Sequence, residues 1–358
     1  MKSTYKRLGD YIEEIEERNR DLSVKLSQGI CNLKYFQNPR QVAENSAADK
    51  IVRRGWFAYN RATTRNGDKI SIAYRDGEDC TVSASYLTFR IKDENLLNPY
   101  YLMMWFKRPE FDRYARFKSH GSAHEYFEWD EMCDVMLPVP SIEEQRKIVA
   151  EYQAVERRIE NNRHLIATLE STAQTIYRQM FVDNIDPENL PQDWRMGKMK
   201  DVATFAYGKI PKDKDNGVIP VFSGYGVVGY CNEAMYDKQH IVVIARGDSG
   251  SGKIVKSPKE FYLTNLAIAI KLNNESYRDY LYYHLLSLDT LTLRTGSAQA
   301  QVTINSIEEF DILIPTVDIC AGFYSVVDRI SAVKLELAQE EDILNNFSSL
   351  LLTKLSKL

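Results

Sequence analysis

The apolar positions of this chain change regime abruptly near its middle. An extended, proline-punctuated run, LPVP at 137–140, stops and SIEEQRKI begins at 141–148. Ser141 followed three residues later by Glu144 is the capping-box pattern that satisfies amide donors at a helix start. Pro138 and Pro140 stand where proline closes an extended segment. No Gly or Pro follows as far as Val182. The stripe Ile148, Tyr152, Val155, Ile159, Asn162, Ile166, Leu169, Ala173, Ile176, Met180 steps by four and three throughout, a heptad seam that keeps one face toward a partner helix. About forty residues make a helix of roughly 60 Å, longer than the ~25 residues beyond which a periodic pattern suggests a coiled coil. Asn162 on the seam reads equally as a register-fixing polar pair or as a solvated break.

The junction recurs. ILIPTVDI at 312–319 places Pro315 175 positions after Pro140, and the same shift carries GSA at 121–123 onto GSA at 296–298. It carries Ile148, Val155, Asn162, Leu169 and Ile176 onto Phe323, Ile330, Leu337, Leu344 and Leu351, all apolar. Upstream the shift becomes 179, taking Ile91 and Lys92 onto Ile270 and Lys271, and Tyr101 and Leu102 onto Tyr280 and Leu281. The chain is therefore expected to be a pseudo-twofold repeat: a globular unit over 1–140, a long helix over 141–182, a polar linker over 183–193, a second unit over 194–315 and a second long helix over 316–358. The two helices are expected to pair antiparallel, with the units at opposite ends of the spacer they form.

Within the first unit, 55–60 and 70–74 read as strands around the turn dipeptide formed by Asn66 and Gly67. Residues 81–91 alternate as one strand, and Asn98 with Pro99 caps a helix carrying Tyr101, Leu102, Trp105 and Phe106. In the second unit 240–245, 261–270 and 277–286 match them. The expected fold class is α+β: two β-rich α/β units joined by two long antiparallel coiled-coil helices.

Composition narrows the setting. The chain has 358 residues and a net charge of -4, enough length for two ordinary domains. No run of eighteen apolar residues suggests a membrane span, and the N-terminus has no apolar segment of the secretory type. The cysteines Cys31, Cys80, Cys133, Cys231 and Cys320 are scattered and never spaced as CxxC, which fits a reducing, cytoplasmic setting.

Candidate chemistry is sparse. ARGDSGSGKI at 245–254 nearly spells a phosphate-binding loop, but Ile254 replaces the magnesium-binding hydroxyl and the following IVKSPKEFYL reads extended, whereas such a loop opens a helix. GDSG without a His and Asp in supporting context makes no triad. Asn98, Pro99, Tyr100 and Tyr101 resemble an amino-methyltransferase loop but lack its second proline, and they serve better as a helix cap. The histidines His120, His124, His164, His240 and His284 have no metal-ligand spacing, and the carboxylates at 13–17 read as a solvated face. No catalytic constellation and no cofactor site emerges, so the chain reads as a binding module.

What it would bind is suggested by 50–75. Lys50, Arg53, Arg54, Arg61, Arg65, Lys69 and Arg75 stand there against Asp68 alone, interleaved with Trp56, Phe57, Tyr59, Asn60, Thr63, Thr64 and Asn66. Arg, Asn and Thr read base edges, and Lys and Arg neutralise phosphates. The equivalent stretch in the second unit carries Arg246, Ser249, Ser251, Lys253 and Lys256. A second loop recurs as Arg116, Phe117, Lys118, Ser119, His120, Gly121, Ser122 and as Arg294, Thr295, Gly296, Ser297, Ala298, Gln299. Basic, small and amide residues beside glycine suit close approach to a phosphate or base. Solvated hairpin arms would look similar singly; their recurrence at equivalent places favours DNA contact. The DNA-binding candidates are Tyr59, Asn60, Arg61, Thr63, Thr64, Arg65, Lys69, Lys118, Ser119, Gly121, Ser122, Arg246, Ser249, Ser251, Lys253, Arg294, Gly296, Ser297 and Gln299. The candidates for the helix seam and partner docking are Ile148, Tyr152, Val155, Ile159, Asn162, Ile166, Leu169, Ile176, Ile330, Leu337, Leu344 and Leu351.

PVPSIEEQRKI with its helix, DNIDPENLPQDWRMGKMKDV leading into the second unit, the GSA repeat and IPTVDI with the terminal helix together resemble the specificity subunit of type I restriction–modification systems over essentially the whole chain. That resemblance implies two target recognition domains, each reading half of a bipartite DNA site, and an antiparallel coiled coil that fixes their spacing and docks two methyltransferase subunits. Motor-endonuclease subunits then join to make a DNA-methylating, phage-defence complex. It also implies that the subunit has no catalytic residues, S-adenosylmethionine, ATP and Mg being bound by its partners. Cys320 in place of Gln145, and TVDI without the capping-box Glu, depart from the pattern at the start of the second helix. A coiled-coil scaffold that binds protein and never touches DNA is the alternative.

Overall fold

The computed structural model describes residues 5–39, 46–62, 69–121, 125–213, 216–247, 251–288, 294–295 and 301–357. The chain divides into two compact units, Met1–Asn162 with Gln339–Leu358, and Arg163–Ala338.

The first unit opens with strands β1 (Tyr5–Arg7), β2 (Ile12–Glu14), β3 (Gly29–Ile30), β4 (Phe36–Gln37) and β5 (Lys50–Val52). It continues with β6 (Trp56–Asn60), β7 (Ile72–Tyr74), β8 (Cys80–Val82) and β9 (Tyr86–Ile91). Helices α1 (Pro99–Lys107), α2 (Pro109–Lys118) and α3 (Trp129–Cys133) follow, then β10 (Met136–Pro138) and the long helix α4 (Ile142–Phe181), whose first part belongs to this unit. Its main sheet is antiparallel with order β2-β9-β6-β7, and β1 pairs antiparallel with β10. The alternating residues Phe57, Tyr59, Phe89 and Ile91 point from this sheet into a core with Tyr101, Leu102, Phe106, Phe111 and Phe127. The single strand expected over 81–91 is two, because a turn donating Tyr86 N to Ser83 O separates β8 from β9.

The second unit holds β11 (Arg195–Lys198), β12 (Ala203–Tyr207), β13 (Ile219–Ser223), β14 (Gly226–Cys231), β15 (Ile241–Ile244), β16 (Ile254–Lys256), β17 (Tyr262–Leu263) and β18 (Ala267–Leu272). After these come α5 (Arg278–Ser287), β19 (Arg294–Thr295), β20 (Gln301–Val302), α6 (Ile304–Glu308), β21 (Asp311–Ile314) and α7 (Val317–Lys354), the last shared with the first unit beyond Ala338. Its main sheet has order β12-β18-β15-β16, and β11 pairs antiparallel with β21. The main-sheet order and the pairing of the first and last strands repeat those of the first unit. The repeated tyrosines explain themselves here: the Tyr101 hydroxyl donates to Pro138 O at 3.0 Å, and the Tyr280 hydroxyl donates to the equivalent Leu313 O. Each fastens its helix to the strand that leads into a long helix.

At the start of α4, Ser141 Oγ accepts the Glu144 amide at 3.3 Å. Gln145, fully buried, accepts the Asn98 amide and donates to the carbonyls of Leu96 and Pro140. In the second unit Cys320 is buried at the equivalent position, and the Tyr277 hydroxyl donates instead to Pro315 O.

In each unit a segment of α4 packs antiparallel on a segment of α7. In the first, Ser348 Oγ donates to Glu156 at 3.0 Å, Arg158 makes two 3.0 Å bonds to the Glu340 carboxylate, and Asn162 Nδ2 donates to Glu340 at 2.8 Å. Asn162 is fully buried, so it belongs to a polar cluster rather than a solvated break. Tyr152, Val155 and Ile159 are buried beside it, while Ile148, Leu344 and Leu351 are half-buried. In the second unit the burial falls on Ala173, Tyr177 and Phe181 against Phe323 and Val327, with Lys334 paired to Glu170. There the seam positions Ile166, Leu169, Ile176, Ile330 and Leu337 are half-buried. The stripe shifts because α4 meets a domain core as well as a helix, and aromatic rings at 177 and 181 fill that space. No helix among the described residues is long and apolar enough to cross a membrane.

Candidate nucleic-acid interface

The basic run at 50–75 is largely neutralised by residues distant in sequence. Lys50 is buried and lies 3.7 Å from Glu16. Arg53 pairs with Glu17 and Asp79. Arg75 is buried, donating to Gln28 and to Glu78 O over the ring of Phe36. These three are structural cations, leaving Arg54, Arg61 and Lys69 at the surface among the described residues of this run.

Three candidates are corrected by burial. Tyr59 is fully buried between Phe89 and Phe127, and that burial pushes its phenol well above the ordinary range. It faces the core because β6 alternates and 59 shares the inner face with Phe57. Ser119 is buried, donating to Ala115 O at the end of α2. Ser251 is buried, donating to Ala245 O at 3.2 Å across the turn between β15 and β16. Thr63, Thr64, Arg65, Ser122, Ser249, Gly296, Ser297 and Gln299 lie outside the described residues, as do the side chain of Arg294 and the turn pair Asn66 and Gly67.

The remaining candidates form one surface in each unit. In the first, Asn60 and Arg61 end β6 and Lys69 begins the return to β7. The other loop, carrying Lys118 and Gly121, is tied to them directly: Phe127 N donates to Arg61 O at 2.9 Å, and Ala62 and His120 both bridge Tyr126. In the second, Arg246 and Lys253 are exposed on the β15–β16 connection, and Val302 N donates to Ala245 O at 2.9 Å, bringing in the β19–β20 loop that holds Arg294. Phe127 and Val302 are 175 positions apart, so one bond joins the same two loops in both units. Gly252, with φ +87°, supports a turn into extended β16, so this stretch leads into a strand where a phosphate loop would open a helix.

The electrostatics differ between the two surfaces. In the first, Arg61 lies 3.2 Å from Glu128 and over the ring of Tyr126, and Lys118 lies 3.1 Å from Glu131, whose bond holds the ammonium above its usual value. His120 stands 3.5 Å from the same carboxylate. In the second, Arg246 and Lys253 make no ion pair among the described residues. A polyanion reaching the first surface would displace carboxylates from the cations; at the second it would meet open charge. No group of three or more His, Cys, Asp or Glu that could hold a metal ion occurs among the described residues.

Two α+β units of one topology, each presenting the same pair of loops, define a tandem-unit protein built on two long helices. A family model described as "Type I restriction modification DNA specificity domain" matches residues 44–171 and 191–344, and the chain belongs to that family. It is similar to the type I restriction enzyme EcoprrI specificity subunit of Escherichia coli, 21% identical over 124 residues, a match that spans 35% of this chain and 31% of that protein. It is also similar to the type I restriction enzyme MjaIX specificity subunit of Methanocaldococcus jannaschii, 23% identical over 292 residues, covering 71% of this chain and 67% of that one. Among solved structures, the S subunit of a type I restriction–modification system from M. genitalium matches at a TM-score of 0.66 and 14% identity, over 98% of this chain and 95% of that one. A chain from a structural study of type I complex assembly and conformational transition matches at a TM-score of 0.52 and 18% identity, over 98% and 96%. Both show the shared fold.

Proposed function

We propose that this chain is the non-catalytic, sequence-reading subunit of a type I DNA methyltransferase and endonuclease complex in the cytoplasm. Each unit contacts one half of a bipartite duplex target through its paired loops. The observation that carries this is the repeated bond, Phe127 N to Arg61 O and Val302 N to Ala245 O, which brings a basic strand connection and a second loop together in both units. Asn60, Arg61, Lys69, Lys118, Gly121, Arg246, Lys253 and Arg294 are the described positions we assign to DNA; the remaining loop candidates lie outside the described residues.

Two methyltransferase subunits would dock on the helices, and restriction subunits through them. In support, α7 exposes apolar side chains at helical spacing: Ile343, Phe347 and Leu350 in the first unit, and Ile319, Val326 and Val333 in the second. Such stripes on a solvated helix suit a protein partner. S-adenosylmethionine, ATP and Mg would be held by those partners, the methyltransferase flipping the target adenine from the duplex.

The test is a methylome by single-molecule sequencing of cells carrying this chain with its methyltransferase, against cells lacking only this chain. A chain-dependent bipartite methyl-adenine motif supports the reading. No new motif, with both proteins expressed and co-purifying, favours a scaffold without DNA readout.

A further inference from the structure

Between the first and second strands of each main sheet lies a hairpin that the sequence patterns did not mark for function. In the second unit it is β13–β14, with β13 parallel to β17. In the first it is β3–β4, whose entering strand makes the parallel bridge Ser27 to Thr81 on β8. Since β8 and β17 each lead into the central strand beside them, β9 and β18, the two hairpins occupy the same place in the repeat.

Both tips carry exposed bulky side chains beside the paired loops. In the second unit Tyr225 is 63% exposed. Its turn is locked to the β15–β16 connection at van der Waals distance: a methyl at Gly224 would lie 2.7 Å from Arg246 O, and one at Gly247, whose φ is +143°, would lie 2.3 Å from Gly224 O. Only glycine at both positions lets the backbones approach this closely. In the first unit Leu33 and Tyr35 are 61% and 51% exposed, while Lys34 between them has φ +69° and turns inward. Its ammonium lies 2.6 Å from Asp112 Oδ1, the same oxygen that accepts the Ile70 amide at 3.1 Å next to Lys69. Different chemistry, two glycines in one unit and a buried ion pair in the other, holds the same tip against the same cationic arm.

We propose that this hairpin tip is a third DNA-contacting loop in each unit, with Tyr35 and Tyr225 as its contact side chains. The proposal rests on the DNA-reading role argued above. A tyrosine with an apolar ring and a polar end suits the boundary between sugar, phosphate and base edge, and Lys69 and Arg246 beside the tips supply the charge that brings a phosphate backbone there. A turn backbone packed this closely is already ordered, so less entropy is lost when its side chain binds.

The test uses the purified complex of the full chain with its methyltransferase and duplexes carrying the methylome motif, intact or with either half scrambled. Tyr225→Ala is expected to weaken binding to the intact duplex on the order of tenfold, the scale of one buried aromatic contact. It should also blunt the effect of scrambling one half-site while leaving the other unchanged; Tyr35→Ala should do the reverse. Tyr225→Glu and Tyr35→Glu, which place an anion at the tip, should lose more than the alanines, and amide exchange of the hairpins shows whether the fold is intact. Folded variants that bind like the parent, or that lose both halves equally, overturn the proposal. A parent complex that yields no motif and ignores scrambling defeats the DNA-reading role itself, which is a separate result.

Discussion

Replacing Asp112 with alanine tests the physics of the first unit most sharply. Asp112 sits in the first turn of α2, where the helix dipole favours a carboxylate. Its side chain is 9% exposed and that of Lys34 is 4% exposed. Burial pushes the Lys34 ammonium below its usual value, and Asp112 is the main force pulling it back up. Without the carboxylate, the ammonium keeps the Phe106 carbonyl and the ring of Phe111 at 5.6 Å. Breaking a buried pair by removing one partner costs about 3–5 kcal/mol. The lysine can escape by losing its proton, but at pH 7 that costs about 1.36 × 3.5, or roughly 5 kcal/mol, so the escape caps the penalty near the same figure. A depressed folded-state pKa of a lysine means that the unfolded chain binds more protons, so the deficit of Asp112→Ala should shrink as pH rises from 7 toward 10. The double variant Lys34→Met with Asp112→Asn removes both charges while keeping an acceptor for the Ile70 amide, and should lie within about 2 kcal/mol of the parent. Urea unfolding of the full chain reads this through tryptophan fluorescence, since Trp56, Trp105 and Trp129 belong to the first unit and Trp194 to the second. Amide exchange then assigns the loss to its unit. A loss below about 1 kcal/mol for Asp112→Ala, or a double variant as damaged as the single, would refute the account of a buried, mutually compensating pair.

Glu128→Gln releases Arg61 from its 3.2 Å partner; nonspecific DNA affinity should rise a few-fold and the salt slope steepen by up to about one, measured by titration at several salt concentrations. The His284 ring is held neutral by burial, its pKa pushed down to about 4, with Nδ1 3.0 Å from the Tyr177 hydroxyl and Nε2 shut off from solvent. Because this folded-state value is depressed, stability is full above about pH 6.5 and falls toward pH 4; at pH 4.5 the loss is about 2–3 kcal/mol, and His284→Phe should remove that share of the acid sensitivity seen in thermal melts. Glu340→Ala takes the shared acceptor from Arg158 and buried Asn162; the melting temperature should fall, and an unchanged one would mean that the cluster contributes nothing to helix pairing.

What the sequence revealed and what it hid have separate physical causes. Periodicity exposed the long helices, because a seam must repeat wherever it is buried. The 175- and 179-residue shifts exposed the duplication through Tyr101 and Tyr280, whose hydroxyl bonds need both ring and reach. The cationic face at 50–75 was misleading because its counter-charges, Glu16, Glu17 and Asp79, arrive from other segments, and local counting cannot see them. The basic and polar neighbours of Tyr59 mark it for the surface, whereas the alternation of β6, with Phe57 two residues earlier, assigns it to the core. The hairpin tips were invisible for another reason. They are held by Gly224 against Gly247 in one unit and by Lys34 with Asp112 in the other, so no residue pattern is shared even where the geometry is.

The make-up of the first unit has a consequence for how the protein is born. That unit is closed by residues 339–357, with Leu355 buried in its core and the Tyr5 hydroxyl donating to Ser356 O. Residues 163–338 form the second unit and leave the ribosome before that closing segment does. At ~5–20 residues per second the apolar face of Val149, Tyr152, Val155 and Ile159 waits roughly 9–35 s for its cover. At the end of that interval the second unit has all of its own sequence and the first still does not. The later half of the chain is thus the earlier domain to finish, and the waiting face is where a nascent-chain chaperone would find its substrate.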